Sequence, residues 1–269
     1  MKKLMLWMMA AILICGANVF TACGNVDDPA SGGEEPVIDN LAEKVIGKWI
    51  VYEKEGEPAL TNQKVVIDFK SSTLVTISLS SMNIWHNNDA FDYKIDGNVI
   101  SCEKQMDEHT YSNIVVKVNA IDENKMYEDF SNTISIDGVE TIKLKSRETL
   151  IRVNEDYSEA IIGLWECTEL TGIETFNNAN ARLEFFNDGT YQYWRKNDAG
   201  EWETVTTREF QNYFVAGTLL ATRWKNVDEN ELREWWEIDS IDGDQMVWTA
   251  LRQKDDGTTV QQVMKWVKK

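Results

Sequence analysis

The sequence predicts an all-β chain: two consecutive antiparallel β-barrels of about eight strands each, behind an N-terminal export signal and a tether. Three observations carry that expectation. The chain repeats itself, both copies alternate apolar and polar residues with the period of half-buried strands, and turn signals punctuate both copies.

The repeat is anchored on Ile46-Gly47-Lys48-Trp49, which recurs as Ile162-Gly163-Leu164-Trp165. A shift of 116 residues also lays Phe69 on Phe185, and a shift of 120 lays Tyr93 on Tyr213, Gly97 on Gly217, Ile121 on Ile241, Asp122 on Asp242 and Met126 on Met246. The two offsets differ by an ordinary loop-length change. Before each Gly-x-Trp stands a capping residue and a stretch of helical pattern, at 39–45 and 156–161, which the glycine stops. Each Trp then opens an all-β run, placed to close one end of a barrel.

These motifs resemble those of lipocalins and lipocalin-like domains, which carry Gly-x-Trp at the start of their first strand. Here Gly47-x-Trp49 and Gly163-x-Trp165 stand in that place as structural residues, and Phe185-Phe186-Asn187-Asp188-Gly189-Thr190 is similar to a hairpin of the family. Domain 1 departs from the hairpin pattern, with Phe69-Lys70-Ser71-Ser72-Thr73 and no glycine. The resemblance covers roughly 39–269 and implies the barrel fold and a non-catalytic binding role.

In chain order, residues 1–22 read as a lipoprotein signal peptide: basic Lys2 and Lys3, an apolar stretch from Leu4 to Ile14, and Ala22 before Cys23. Cys23 would become the lipid-bearing N-terminus, a thioether- and palmitate-type anchor, so the membrane is an expected partner. Residues 23–38 are a flexible acidic tether. Its Asp27-Asp28 pair resembles signals that send Bacteroidota lipoproteins to the outer face of the outer membrane, though a plain soluble spacer has the same composition. Domain 1 spans 39–153, where Val65, Ile67 and Phe69, and Ile114, Val116 and Val118, recur at every second position. Asp96-Gly97-Asn98, Asp122-Glu123-Asn124 and Asp137-Gly138 mark turns. Domain 2 spans 154–269 and holds eight of the eleven tryptophans.

That aromatic weight points to domain 2 for a ligand. With Asn187-Asp188-Gly189 as a turn, Leu183, Phe185, Tyr191, Tyr193 and Arg195 share one face, and the repeat turns Val116 into Trp236. Tyr191, Tyr193, Trp224 and Trp236 are candidate walls for a small apolar or amphipathic ligand and Arg195 a candidate anchor for a polar or anionic group. The same side chains would equally serve as a packed core. Adjacent Trp235 and Trp236 must face opposite sides of a strand, so one lies outside, at an interface with a protein or glycan partner on the alternative reading.

The formal net charge of −18 disfavours nucleic acid as a partner, and loss of Lys2 and Lys3 would make the chain more acidic still. Cys102 and Cys167, one per domain, leave a disulfide open in an oxidising envelope. No catalytic residues, metal site or cofactor are expected. His86 and His109 show no metal-ligand spacing, no Gly-x-Ser-x-Gly or phosphate-cradling loop is present, and Asp242-Gly243-Asp244 and Asp255-Asp256-Gly257 read as β-turns. A glycosidase pair, whose carboxylates meet only in space, is not addressed by spacing.

Overall fold

The computed structural model describes residues 37–78, 85, 90–172, 181–205, 208–226 and 228–269. The expected signal peptide, Cys23, most of the tether and His86 lie outside the described residues.

The first sheet is a meander. Strands β1 (Gly47–Lys54), β3 (Val66–Ser71), β4 (Leu74–Ser78) and β5 (Ala90–Asp92) pair in order, as do β6 (Lys94–Asp96), β7 (Val99–Gln105), β8 (Thr110–Ile121), β9 (Lys125–Ile136) and β10 (Val139–Val153). The two-residue β2 (Glu57–Pro58) folds back on β1. Because β10 pairs antiparallel with β1, the meander returns on itself. Segment 90–96 is shared, β5 bonding to β4 and β6 to β7, so it acts as one strand broken at Tyr93. Counted that way the barrel has the eight strands expected.

The second sheet repeats the plan with β11 (Gly163–Thr171), β12 (Ala181–Phe185), β13 (Tyr191–Lys196), β14 (Trp202–Thr204), β15 (Asn212–Ala216), β16 (Leu219–Lys225), β17 (Glu231–Asp242), β18 (Gln245–Gln253) and β19 (Thr259–Lys268). Again the last strand pairs with the first, and the fourth is broken, here into β14 and β15. The bulges repeat too: Val51/Glu53 matches Cys167/Glu169, and Val118/Ala120 matches Ile238/Ser240, at the same offsets as the sequence repeat. Asn187-Asp188-Gly189 forms the turn read from the sequence, with Phe186 N–H bonded to the Thr190 carbonyl at 2.9 Å, and domain 1 makes the equivalent β3–β4 hairpin without a glycine.

Both Gly-x-Trp motifs close a barrel end. Trp49 and Trp165 are fully buried, and each indole N–H donates at 2.7 Å to a carbonyl four residues earlier, Val45 and Ile161. A cation from the last strand covers each ring: Arg152 at 4.1 Å over Trp49, Lys268 at 5.1 Å over Trp165. Gly47 and Gly163 adopt φ of +116° and +127°, and a Cβ on either would sit within 3 Å of that covering side chain. The preceding helical stretches are shorter than expected. Leu41–Lys44 is a single-turn helix whose N-cap Asn40 is left-handed and makes no side-chain cap, and residues 158–161 form only a turn, closed by Ile161 N–H to the Tyr157 carbonyl. One turn is too few residues for the helix to propagate, so packing of Leu41, Val45 and Ile161 holds it.

The barrels dock through their outer faces. Ile50 and Val66 of domain 1 and Leu219 of domain 2, each 2% exposed or less, form one buried cluster. Lys64 is paired with Glu237, and the Leu251 N–H donates to the Thr61 hydroxyl at 2.8 Å. Trp85 stacks edge-on against Phe214 at 5.2 Å beneath the guanidinium groups of Arg223 and Arg233.

Candidate functional site

The two barrel interiors are built on the same register from different side chains. In domain 2 the inward face is aromatic. Trp248 lies 4.7 Å from Trp266, 5.9 Å from Trp236 and 6.0 Å from Phe185, which in turn meets Tyr191 and Tyr213. Tyr191 and Trp236 are 5% and 3% exposed and belong to this packed core, where burial pushes the Tyr191 phenol far above its ordinary range. Tyr193 is half-buried against the same core.

The other candidates sit at the rim. Arg195 is exposed and faces Glu203 at 3.9 Å. Trp224 is half-buried and, with Phe210, Arg223, Lys225 and Glu231, lines a shallow open depression of about 190 Å³. The structure therefore brings Tyr191 and Trp236 into one core and leaves Arg195 and Trp224 apart from them at the edge. Trp236 is the inward member of its pair. Trp235 faces out, on the strand face that carries Arg233 and Glu237, both engaged with domain 1.

Arg252 was not among the residues singled out, yet it points inward in the series Met246, Trp248, Ala250, Arg252. It lies 5.0 Å over Trp236, donates to the Trp235 carbonyl at 2.6 Å and stands 3.9 Å from Glu234, and burial lowers its pKa. The alternation of β18 is the signal that finds it.

Domain 1 has smaller side chains at the same places. The repeat puts Val75 where domain 2 has Tyr191, Val116 for Trp236 and Leu150 for Trp266, with Phe130 for Ala250 a swap in the other direction. It also puts charge inside. Glu128 (3% exposed) is directly across the ladder from Glu148, and Glu148 is across from Lys54. The Lys54 ammonium is 3.3 Å from Glu148, whose other contact is the Ser146 hydroxyl at 2.7 Å. No hydrogen bond from a described residue reaches Glu128. Burial, then the facing Glu148 carboxylate, holds the Glu128 carboxyl well above the usual carboxylate range, against the pull of Lys54. Farther along the interior, Ser112 donates to Asn132 at 2.9 Å.

Cys102 and Cys167 are both free and buried in separate cores, so the possible disulfide is absent, and burial raises both thiols, Cys167 to about 11. Among the described residues no three His, Cys, Asp or Glu side chains gather as metal ligands.

No protein-family model matches the chain, and neither does any curated protein. Among solved structures, it is similar to a protein described as an outer membrane protein from Bacteroides fragilis (9% identity, 85% of this chain and 99% of that one, TM-score 0.21). It is also similar to the vaccine antigen transferrin-binding protein B from Haemophilus parasuis (7% identity, 77% of this chain, TM-score 0.23), spanning about half of that protein's length.

Proposed function

We propose that the chain is a lipid-anchored protein of the cell envelope whose lipocalin-like barrels bind a small amphipathic molecule and catalyse nothing. The signal-like start, Ala22-Cys23 and the acidic tether support the address. The observation that carries the binding role is the contrast between the two interiors. On one fold and one register, domain 2 is filled with rings while domain 1 carries aliphatic side chains at three of those ring positions. Domain 1 is accordingly the barrel assigned to the ligand. In domain 2, Tyr191 and Trp236 serve as core, and Tyr193, Arg195, Trp224 and Arg252 shape the rim.

The test is a thermal melt of the full-length protein in lipid nanodiscs with pooled bile acids, alkylammonium salts, fatty acids and haem. A ligand that binds only the native state at a hundredfold excess over Kd adds about 2.7 kcal/mol. Val116→Trp, which restores the domain 2 residue, should abolish the shift, and Tyr193→Ala should leave it. Flat melts in all pools would end this reading. A second reading, docking of a protein or glycan through outer aromatic faces, rests on Trp202, which lies on the outer face of domain 2 under Arg182 (4.0 Å) and Lys196 (5.0 Å). Loss of partner binding on Trp202→Ala with no effect of Val116→Trp would favour it.

A further inference from the structure

We propose that Glu128, Glu148 and Lys54 form the head-group site for an organic ammonium ion inside domain 1, an inference that rests on domain 1 being the ligand-bearing barrel. The argument starts from the repeat. Position for position, Glu128, Glu148 and Lys54 replace Trp248, Met264 and Leu170, and the ladder contacts are the same: Glu128 opposite Glu148 as Trp248 is opposite Met264, Lys54 opposite Glu148 as Leu170 is opposite Met264. Domain 2 shows that the fold is built at this level from three apolar side chains. Charge here does not serve the barrel, since taking ions out of water is costly and a well-packed apolar set is often at least as stable.

The site is also one positive charge short. Two carboxylates face one ammonium, and that ammonium sits on Glu148, which additionally accepts from Ser146. Glu128 is buried and accepts no hydrogen bond from a described residue, and the one cation that attracts it, Lys54, is ion-paired with Glu148. Asp129, the remaining acid near it, points to the outer face of β9. A buried, unpartnered carboxyl is neutralised by a proton or by an incoming cation.

The surroundings decide which cation. Directly across the ladder from Glu128 is buried Val118, toward the closed end lie buried Met126 and Leu150, and toward the mouth the next inward residues are Val116, Phe130 and Ser146, all half-buried. A divalent metal wants six or more oxygen ligands, which these walls do not supply. A primary ammonium needs only acceptors for its three N–H groups, and its alkyl chain suits Val116 and Phe130, the latter with a ring face for the cation. Binding displaces the Glu128 proton to solvent, leaving carboxylate and ammonium paired.

The experiment is calorimetric titration of the full-length protein in nanodiscs with hexylammonium, hexanol and hexanoate, in two buffers of different ionisation heat. Expected are binding of hexylammonium with release of up to one proton, at least tenfold weaker binding in Glu128→Gln and Glu148→Gln, and unchanged binding in Asp129→Asn. The proposal is overturned if either glutamine variant keeps full affinity, or if calcium chloride alone displaces hexylammonium. Should Glu128→Gln not fold, the wild-type comparison decides: hexanol or hexanoate binding as tightly as hexylammonium overturns it. In that last case binding blocked by Val116→Trp leaves the barrel reading standing, whereas no binding of any probe removes both.

Discussion

Glu128 couples folding to pH with an unusual sign. An unfolded glutamate ionises near about 4.3, and the folded one holds its proton to higher pH. Between those two values unfolding releases a proton, so this residue's contribution favours the folded state at acid pH, declines as pH rises through that window, and levels off above the folded pKa. Glu128→Gln should therefore flatten the stability–pH profile of domain 1 and raise its Tm at pH 8, as read by circular dichroism from pH 4 to 8. A profile as steep as that of the wild type would show that another group sets it. Trp165 makes the opposite kind of contribution. Trp165→Ala removes a fully buried ring and strands the Ile161 carbonyl, and should cost about 3–5 kcal/mol in urea denaturation. The two residues differed in legibility for a physical reason. Trp165 announces itself through a repeated motif, whereas Glu128 is one acid among many until strand register sets it across from Glu148.

At the level of elements, alternation and turn chemistry read well because both are local. Val65-x-Ile67-x-Phe69 and Asp188-Gly189 each specify their own geometry. The helical stretches before the two glycines read less well, since a capping residue and an acidic turn do not say how far a helix propagates. The broken fourth strand was not legible: Tyr93 and Tyr213 are aligned in the repeat, but what marks the break is that each N–H bonds to the turn of the neighbouring hairpin, at Thr73 and Gly189. Gly163→Ala tests the closed end. An alanine held at φ +127° with its Cβ near the Lys268 chain should cost about 1–3 kcal/mol. Lys268→Ala should not rescue it, because the strain is in the backbone; rescue in a melt would relocate the cause to the side chain.

For the whole molecule, the short polar link Asn154-Glu155-Asp156 is compatible with close neighbours, while domain motion is the default expectation. The docked faces replace that expectation with a shared interface. In the structure Trp49-Ile50-Val51 are consecutive and all buried, which a strand achieves only when covered on both sides. The identity of the cover, Leu219 from the second barrel, depends on long-range docking that no local pattern encodes. Breaking the largely buried Lys64–Glu237 pair should uncouple the barrels. Lys64→Ala leaves Glu237 against the interface without its cation and should cost about 1–3 kcal/mol, splitting one calorimetric transition into two, while Lys64→Met with Glu237→Leu should restore a single transition. A single unchanged transition in Lys64→Ala would assign the coupling to the apolar cluster alone.

The two separated thiols have a practical consequence. Each barrel holds one free cysteine in its own core, on strands β7 and β11, with its proton held more tightly than in water. A thiol reagent reaches Cys102 or Cys167 only when that barrel opens, so each domain keeps its own clock. Mass-resolved labelling over time would read the opening rate of each barrel in the same tube.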